Sequence, residues 1–192
     1  MYESNDPIDN PDNDWTPGAV ERLFIFCQFD RAMPYEKVCE SYRYLESHGF
    51  LSFEILRTFT VGELTDLLRD ARLRFPKVTA TYLYRNIREF NGEKLKKMSR
   101  DEIVEKCSGF GYKLASMFCN RCQGTQYAII DVHIDRYIKE HWFKSGIIAP
   151  SLTYKEKEKC FIELAKQQGK TPDELDWEIW DSRRIGSKKE KA

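Results

Sequence analysis

With 192 residues, 41% hydrophobic and 14% aromatic side chains, the chain can fill one compact unit or two small subdomains sharing a core. Thirty-one Lys and Arg balance thirty-one Asp and Glu, which excludes an indiscriminately basic nucleic-acid binder while leaving room for a basic cleft. No apolar run approaches the ~18 residues that would span a membrane, and MYESNDPIDNPDND lacks the basic-then-apolar order of a secretory signal.

The charge is unevenly spread. Residues 1–14 carry five acids and no base and read as a disordered acidic leader; 183–192 carry five bases and one acid. Without a signal peptide, the six cysteines at 27, 39, 107, 119, 122 and 160 read as reduced, mostly buried thiols of a cytoplasmic protein. Cys119 and Cys122 form a C-x-x-C, but no second pair or nearby His pair completes a zinc set, so no metal site is expected.

Taken in order, structure begins at Thr16-Pro17, an N-cap followed by proline in the first turn, with Val20, Leu23, Phe24 and Cys27 at helical spacing. The pattern breaks across QFDRAMP. A second helix runs from about Pro34, with Val38, Tyr42 and Leu45 on one face, to a stop at Gly49. Residues 51–58 hold another short helix. Thr60 and Glu63 form a capping box that launches Leu64, Leu67, Leu68 and Ala71. RLRFP is a turn, because proline disfavours a helical residue before it. The next helix spans about 78–90 and ends at Asn91-Gly92. Ser99 and Glu102 form a second capping box, and Thr153/Glu156 and Thr171/Glu174 two more. SGIIAPS reads as a loop, and ELDWEIWDSRR is the last helix before a basic tail at 186–192. No alternating stretch competes for a strand, so the chain reads as all-α, with about nine or ten helices.

Residues 107–140 carry the chemistry. Cys107-Ser108-Gly109-Phe110-Gly111 joins two helices by a turn whose backbone N–H groups face outward at a helix start, a geometry that holds an anion. Lys113 sits in the first turn of the following helix, where the dipole and partial burial both disfavour its charge and favour a nucleophilic amine. Asp131 follows the apolar run YAII and opens the next helix, as a plain N-cap or as a carboxylate beside a developing sugar cation. His133 reads as a locally packed or hydrogen-bonded side chain, with general acid–base work as the alternative. Each feature alone fits a plain structural role: a tight connection, a solvated lysine, a cap.

Together, GFGYKLAS followed by IIDVHIDRYI resembles the helix-hairpin-helix DNA glycosylases, the superfamily of endonuclease III and the 8-oxoguanine glycosylases. The similarity covers roughly residues 17–185, including ERLFIFCQF and LRFPKVTATYLYRNIREF, and is nearest to the small type-2 8-oxoguanine glycosylase/AP lyases. It implies a two-lobed fold with an interlobe cleft. The glycosylase domain would span 15–185, with lobe one about 30–121 and lobe two about 15–29 plus 122–185.

The resemblance implies a monomeric repair enzyme acting on damaged double-stranded DNA, cytoplasmic at the nucleoid, or nuclear in a eukaryote, and not bound to a membrane. The amides of Gly109 and Gly111 would hold a backbone phosphate, often through a bound monovalent cation, with no other cofactor required. Lys113 would attack the sugar C1′ of a flipped nucleotide and form a Schiff base that permits β-elimination. Asp131 would orient or deprotonate it and stabilise the sugar cation, and Phe75 and Trp180 would flank the base. Cys160 stands without the other cysteines of an iron–sulfur set, so no cluster is expected. Two departures stand out. The type-2 enzymes end soon after the tryptophan in a base-reading lysine, whereas this chain continues through SKKEK to Ala192. QFDRAMP replaces the small polar run that fills the gap left by the flipped base, with Arg31 and Met33 as candidates. The same chemistry on an oxidised pyrimidine or another lesion, or a hairpin module that binds DNA without chemistry, are the alternatives.

Overall fold

The computed structural model describes residue 8, residues 14–144 and residues 152–189, the side chains of 142–144 and 183–189 excepted. The residues expected as acidic leader (apart from 8 and 14), the loop SGIIAPS and the last three residues of the basic tail lie outside the described residues. Among these there are eleven helices and no strand, and no helix is long and apolar enough to cross a membrane. The chain divides into two compact units, 1–123 and 124–192.

The first unit is built around α1 (Pro17–Phe29), which Thr16 caps by accepting the Ala19 amide. Every residue from Leu23 to Phe29 is buried, so the second half of α1 is covered on all sides rather than along one stripe. It packs against α2 (Tyr35–Ser47), α5 (Pro76–Glu89), α6 (Gly92–Lys97) and α8 (Tyr112–Gln123). Phe24 is the hub, stacked on Phe110 at 4.4 Å and edge-on to Phe53 and Phe118. The short α3 (Phe53–Leu56) and α4 (Val61–Asp70) both lie against α5, and α7 (Arg100–Lys106) against α8. The sequence reading placed residues 15–29 with 122–185. Here α1 belongs to the first unit, because its buried face is matched by α6 and α8.

Local signals set most of these boundaries. Thr60/Glu63 and Ser99/Glu102 form reciprocal capping boxes at α4 and α7, and α2 ends at Ser47, two residues before Gly49, which adopts φ +75°. One boundary differs from expectation. Asn91-Gly92 does not merely end α5; Asn91 accepts the Lys94 amide at 2.9 Å and starts the additional helix α6. Gly92 is required there because a Cβ would fall 2.0 Å from the Pro17 carbonyl oxygen. Glu21 of α1 reinforces the junction, accepting the Gly92 amide at 3.2 Å and the Phe53 amide at 3.3 Å.

The second unit is a three-helix cluster of α9 (Val132–Lys144), α10 (Tyr154–Gln167) and α11 (Pro172–Lys189), whose backbone continues helical into the expected tail. Thr153/Glu156 and Thr171/Glu174 form the remaining capping boxes. Ala128, Ile130, Ile134, Ile138, Phe161, Ala165, Leu175 and Ile179 make its core. Tyr154 pins the segment leading into α9: its hydroxyl accepts the Ile130 amide at 3.0 Å and donates to the Ala128 carbonyl at 3.2 Å. Asp135 ties α9 to α10 through Lys157 at 2.6 Å.

Candidate functional site

The hairpin between α7 and α8 is held from two directions. Asn86 of α5 clasps Ser108, accepting its amide at 2.8 Å and donating to its carbonyl at 2.9 Å, and also donates to Gln28 Oε1 at 2.9 Å. Gln28 in turn donates to the Ser108 carbonyl at 3.4 Å. Both side chains are essentially inaccessible to water, so this closed network fixes the turn at a depth where an unpaired amide would be costly. Arg31 adds a third hold, donating to the Gly109 carbonyl at 3.0 Å while its guanidinium lies over Tyr82 at 4.9 Å. The buried Phe110 carries the stacking contact with Phe24 described above.

The two glycines serve different purposes. Gly109 adopts φ +82°, and a Cβ there would meet Tyr82, Arg31 and Gln28 atoms at 2.5–2.7 Å. Gly111 needs no unusual conformation; its carbonyl accepts the Ala115 amide, which makes it the start of α8, and the space its Cβ would occupy is open. The open space beside Gly111 leaves room for an anion to approach the backbone donors at this helix start. The carbonyls of Cys107, Ser108 and Gly109 each accept a protein N–H. Ser108 O accepts two such bonds, whereas the carbonyls of Cys107 and Gly109 each accept one and keep a second lone pair.

Lys113 stands in the first turn of α8 with a third of its side chain exposed, and its amine meets Asp30 Oδ2 at 2.6 Å. Sequence reasoning missed this partner. Asp30 caps the C-terminus of α1, inside the QFDRAMP break. That break has a physical cause: Ala32 takes φ +50° ahead of Pro34, which cannot continue a helix. Arg31, one candidate for filling the space left by a flipped base, here bonds to the hairpin and lies over Tyr82.

Phe75 is not a core residue. It is 42% exposed and precedes Pro76 at the start of α5. With Arg31, Ala32, Val78, Gly109 and Leu114 it lines an open groove of about 490 Å³. Arg74 fixes its surroundings, donating to the Ala32 carbonyl at 2.5 Å with its guanidinium 5.2 Å over the Phe75 ring. A phenyl face, a methyl, two aliphatic side chains and a guanidinium can receive a flat aromatic group.

Asp131, His133 and Trp180 belong to the second unit. Asp131 Oδ1 accepts the amides of His133 and Ile134 at 2.8 and 2.9 Å, the N-cap geometry expected of it. Nδ1 of His133 is buried and makes no hydrogen bond among the described residues, contrary to the local bond expected as one reading. Trp180 is half-buried and meets Trp177 edge-on at 5.5 Å. All six cysteines are free, and burial pushes the Cys107 and Cys122 thiols up to about 12 and Cys119 to about 11. Among the described residues no group of three or more His, Cys, Asp or Glu could hold a metal ion.

Comparison with known proteins places this geometry. Residues 25–170 match the model of the helix-hairpin-helix family described as 8-oxoguanine DNA glycosylase. The chain is 32% identical over 175 residues to an 8-oxoguanine DNA glycosylase/AP lyase of Thermoplasma volcanium, covering 84% of this chain and 85% of that protein. It is 32% identical over 153 residues to one of Aquifex aeolicus, covering 71% of this chain and 64% of that protein, just under two thirds of its length. Its fold is similar to the crystal structure of the Thermotoga maritima 8-oxoguanine DNA glycosylase, with a TM-score of 0.68 and 24% identity over 86% of this chain and 79% of that one. It is also similar to the Methanocaldococcus jannaschii 8-oxoguanine glycosylase/lyase in complex with 8-oxoguanine DNA, with a TM-score of 0.69 and 22% identity over 89% and 83%. With a hairpin, a lysine and an all-helical fold of this kind, the chain belongs to the helix-hairpin-helix 8-oxoguanine DNA glycosylase family.

Proposed function

We propose that the protein is a monomeric base-excision repair glycosylase with AP lyase activity, which removes 8-oxoguanine from double-stranded DNA without a required cofactor. The observation that carries this reading is the hairpin itself. Three long-range holds fix its backbone, and it presents Lys113 on the first turn of α8, one residue beyond an open helix start.

The amides at Gly109, Gly111 and the start of α8 hold a phosphate of the damaged strand, and the lesion leaves the stack. The Lys113 amine attacks C1′, the base departs, and opening of the sugar leaves a Schiff base. That linkage acidifies the neighbouring C2′ hydrogen, so β-elimination breaks the strand. Asp131 supplies a fixed negative charge for the oxocarbenium-like sugar. Phe75 and Trp180 flank the base, and the groove beside Phe75 supports the first of these roles. The enzyme works where the DNA is, at the cytoplasmic nucleoid or in the nucleus.

Borohydride trapping on duplexes carrying 8-oxoguanine tests the whole sequence. A covalent adduct that disappears in Lys113→Gln is expected. An adduct formed only with an oxidised pyrimidine moves the specificity, and binding without adduct or base release leaves a non-catalytic hairpin module. Affinity should also fall steeply with salt as phosphate contacts release counterions; a flat response contradicts a DNA-binding surface.

A further inference from the structure

We propose that Asp30 is the proton acceptor of Lys113, a second carboxylate serving the reactive amine from the end of α1. The inference rests on the reading of Lys113 as nucleophile. Its basis is a 2.6 Å contact between two side chains 83 residues apart, with Asp30 only 15% exposed. Neither end of this contact drifts. The Asp30 amide is bonded to the Cys27 carbonyl at 3.3 Å, and the next residue, Arg31, is tied to Gly109. Lys113 follows the same hairpin by four residues, so one clamp sets both the carboxylate and the amine.

The other charged or titratable groups around the pair are unsuited to take a proton. Arg31 is a cation already engaged with Gly109 and Tyr82. The Cys27 thiol is held protonated, first by burial, then by the charge of Asp30 and by Cys122, against the opposing pull of Arg121 and Lys113. Asp30 is the acceptor in contact.

An ammonium has no lone pair with which to attack, and an ion pair holds it back from the sugar. One proton transfer removes both obstacles. The proton moves from Nζ to Asp30 Oδ2, leaving a neutral amine beside a neutral acid, and exclusion of water by bound DNA favours that uncharged pair over the separated charges. The amine lone pair then forms the Nζ–C1′ bond while the C1′–N9 bond breaks, its electron pair leaving with the base. The proton on Asp30 neutralises the departing base. The Nζ–C1′ adduct shifts one proton to O4′ as the C1′–O4′ bond opens, giving the protonated Schiff base. No outside oxidant, reductant or proton is consumed.

The test compares the full-length wild type with Asp30→Asn and Asp30→Glu in single-turnover borohydride trapping on a preformed abasic-site duplex, from pH 6 to 9. Asp30→Asn keeps the size and hydrogen-bonding edge of the side chain but cannot take the proton. It should slow trapping roughly 10²- to 10⁴-fold near neutrality, and the deficit should shrink as pH rises and hydroxide takes over the proton. Melting temperature and DNA affinity should match the wild type, and Asp30→Glu should recover most of the rate. Three results would overturn the assignment: Asp30→Asn trapping at the wild-type rate and pH profile, trapping faster, or losing rate equally at every pH together with stability or affinity. If the wild type itself traps on no duplex, the nucleophile reading falls and Asp30 falls with it; trapping by the wild type with an indifferent Asp30→Asn sinks the Asp30 role alone.

Discussion

The two hairpin glycines offer a separation of structure from binding. In Gly109→Ala the new methyl must sit at φ +82° and within 2.5–2.7 Å of Tyr82, Arg31 and Gln28. Holding a residue with a Cβ in the left-handed region costs about 1–2 kcal/mol. Forcing a methyl into a packed site adds about 1–3 kcal/mol, since the Tyr82 ring and the bonded Gln28 amide must both give way. The sum, about 2–5 kcal/mol, corresponds to a fall in Tm of about 4–20 °C for a chain of this size. Gly111→Ala meets neither cost, because its φ is ordinary and its Cβ points into open space; its Tm should move by less than ~2 °C. The methyl does stand where a phosphate would approach the start of α8. Loss of one charge-assisted backbone contact, about 1.5 kcal/mol or more, should weaken DNA binding about tenfold. Thermal melts and fluorescence anisotropy with a labelled duplex read the two effects separately. The reasoning is refuted if Gly109→Ala melts with the wild type, or if Gly111→Ala is destabilised as much as Gly109→Ala. Unchanged affinity in Gly111→Ala would remove the phosphate from this place.

Asn86→Ala should destabilise the protein by about 2–4 kcal/mol in urea unfolding, because it strands buried polar atoms of Gln28 and Ser108 together; a loss below ~1 kcal/mol would mean water repairs the network. Asp131→Asn keeps an oxygen able to accept the His133 and Ile134 amides, so the cap survives while the charge is lost. Base release should drop roughly 10²-fold or more with DNA affinity unchanged, and undiminished turnover would sink its role. Glu102 is held down to about 2 by the Ser99 amide first, then by Lys106 and the Ser99 hydroxyl. A folded-state value below the unfolded one of ~4.3 means its contribution is complete above that pH and drains away as pH falls toward about 2. Glu102→Gln should therefore flatten stability against pH across that acid window, and an unaltered acid limb would contradict the assignment.

What could be read from the sequence was what is encoded locally. A Thr or Ser followed three residues later by Glu needs only its own backbone to form a capping box, and the pairs at 60/63, 99/102, 153/156 and 171/174 do so. Gly109, Lys113 and the Asp131 cap likewise follow from short spacings. Asn91-Gly92 was ambiguous because the same dipeptide can stop one helix or start another. The choice is made by the Pro17 carbonyl pressed against Gly92, a contact no local pattern announces. Asp30, Asn86 and Gln28 were missed for the same reason: their partners lie 83, 22 and 80 residues away. A signal existed for one of them. Gln28 is the single amide in the apolar run FIFCQF, and a polar side chain in a fully covered helix must find a buried partner.

That buried helix explains why the site can be assembled from residues so far apart. A helix packed along one stripe can roll or slide against its neighbour, whereas α1 is enclosed over its whole second half and tied near its start by Glu21 to the beginnings of α3 and α6. Its C-terminal end is therefore a fixed reference. Within four residues it delivers Gln28 to Ser108, Asp30 to Lys113 and Arg31 to Gly109. The lysine is thus registered against α1, not only against the turn that precedes it in sequence. A displacement of the hairpin would have to break the Gln28–Asn86–Ser108 network, the Arg31 contact and the ion pair together, with little water able to replace the buried bonds. An amine that must meet one sugar carbon, as the proposed mechanism asks of Lys113, needs that kind of over-determination, because a misplacement of about 1 Å can cost a factor of roughly 10² in rate. The apolar burial of α1 and the placement of Lys113 are two consequences of the same packing.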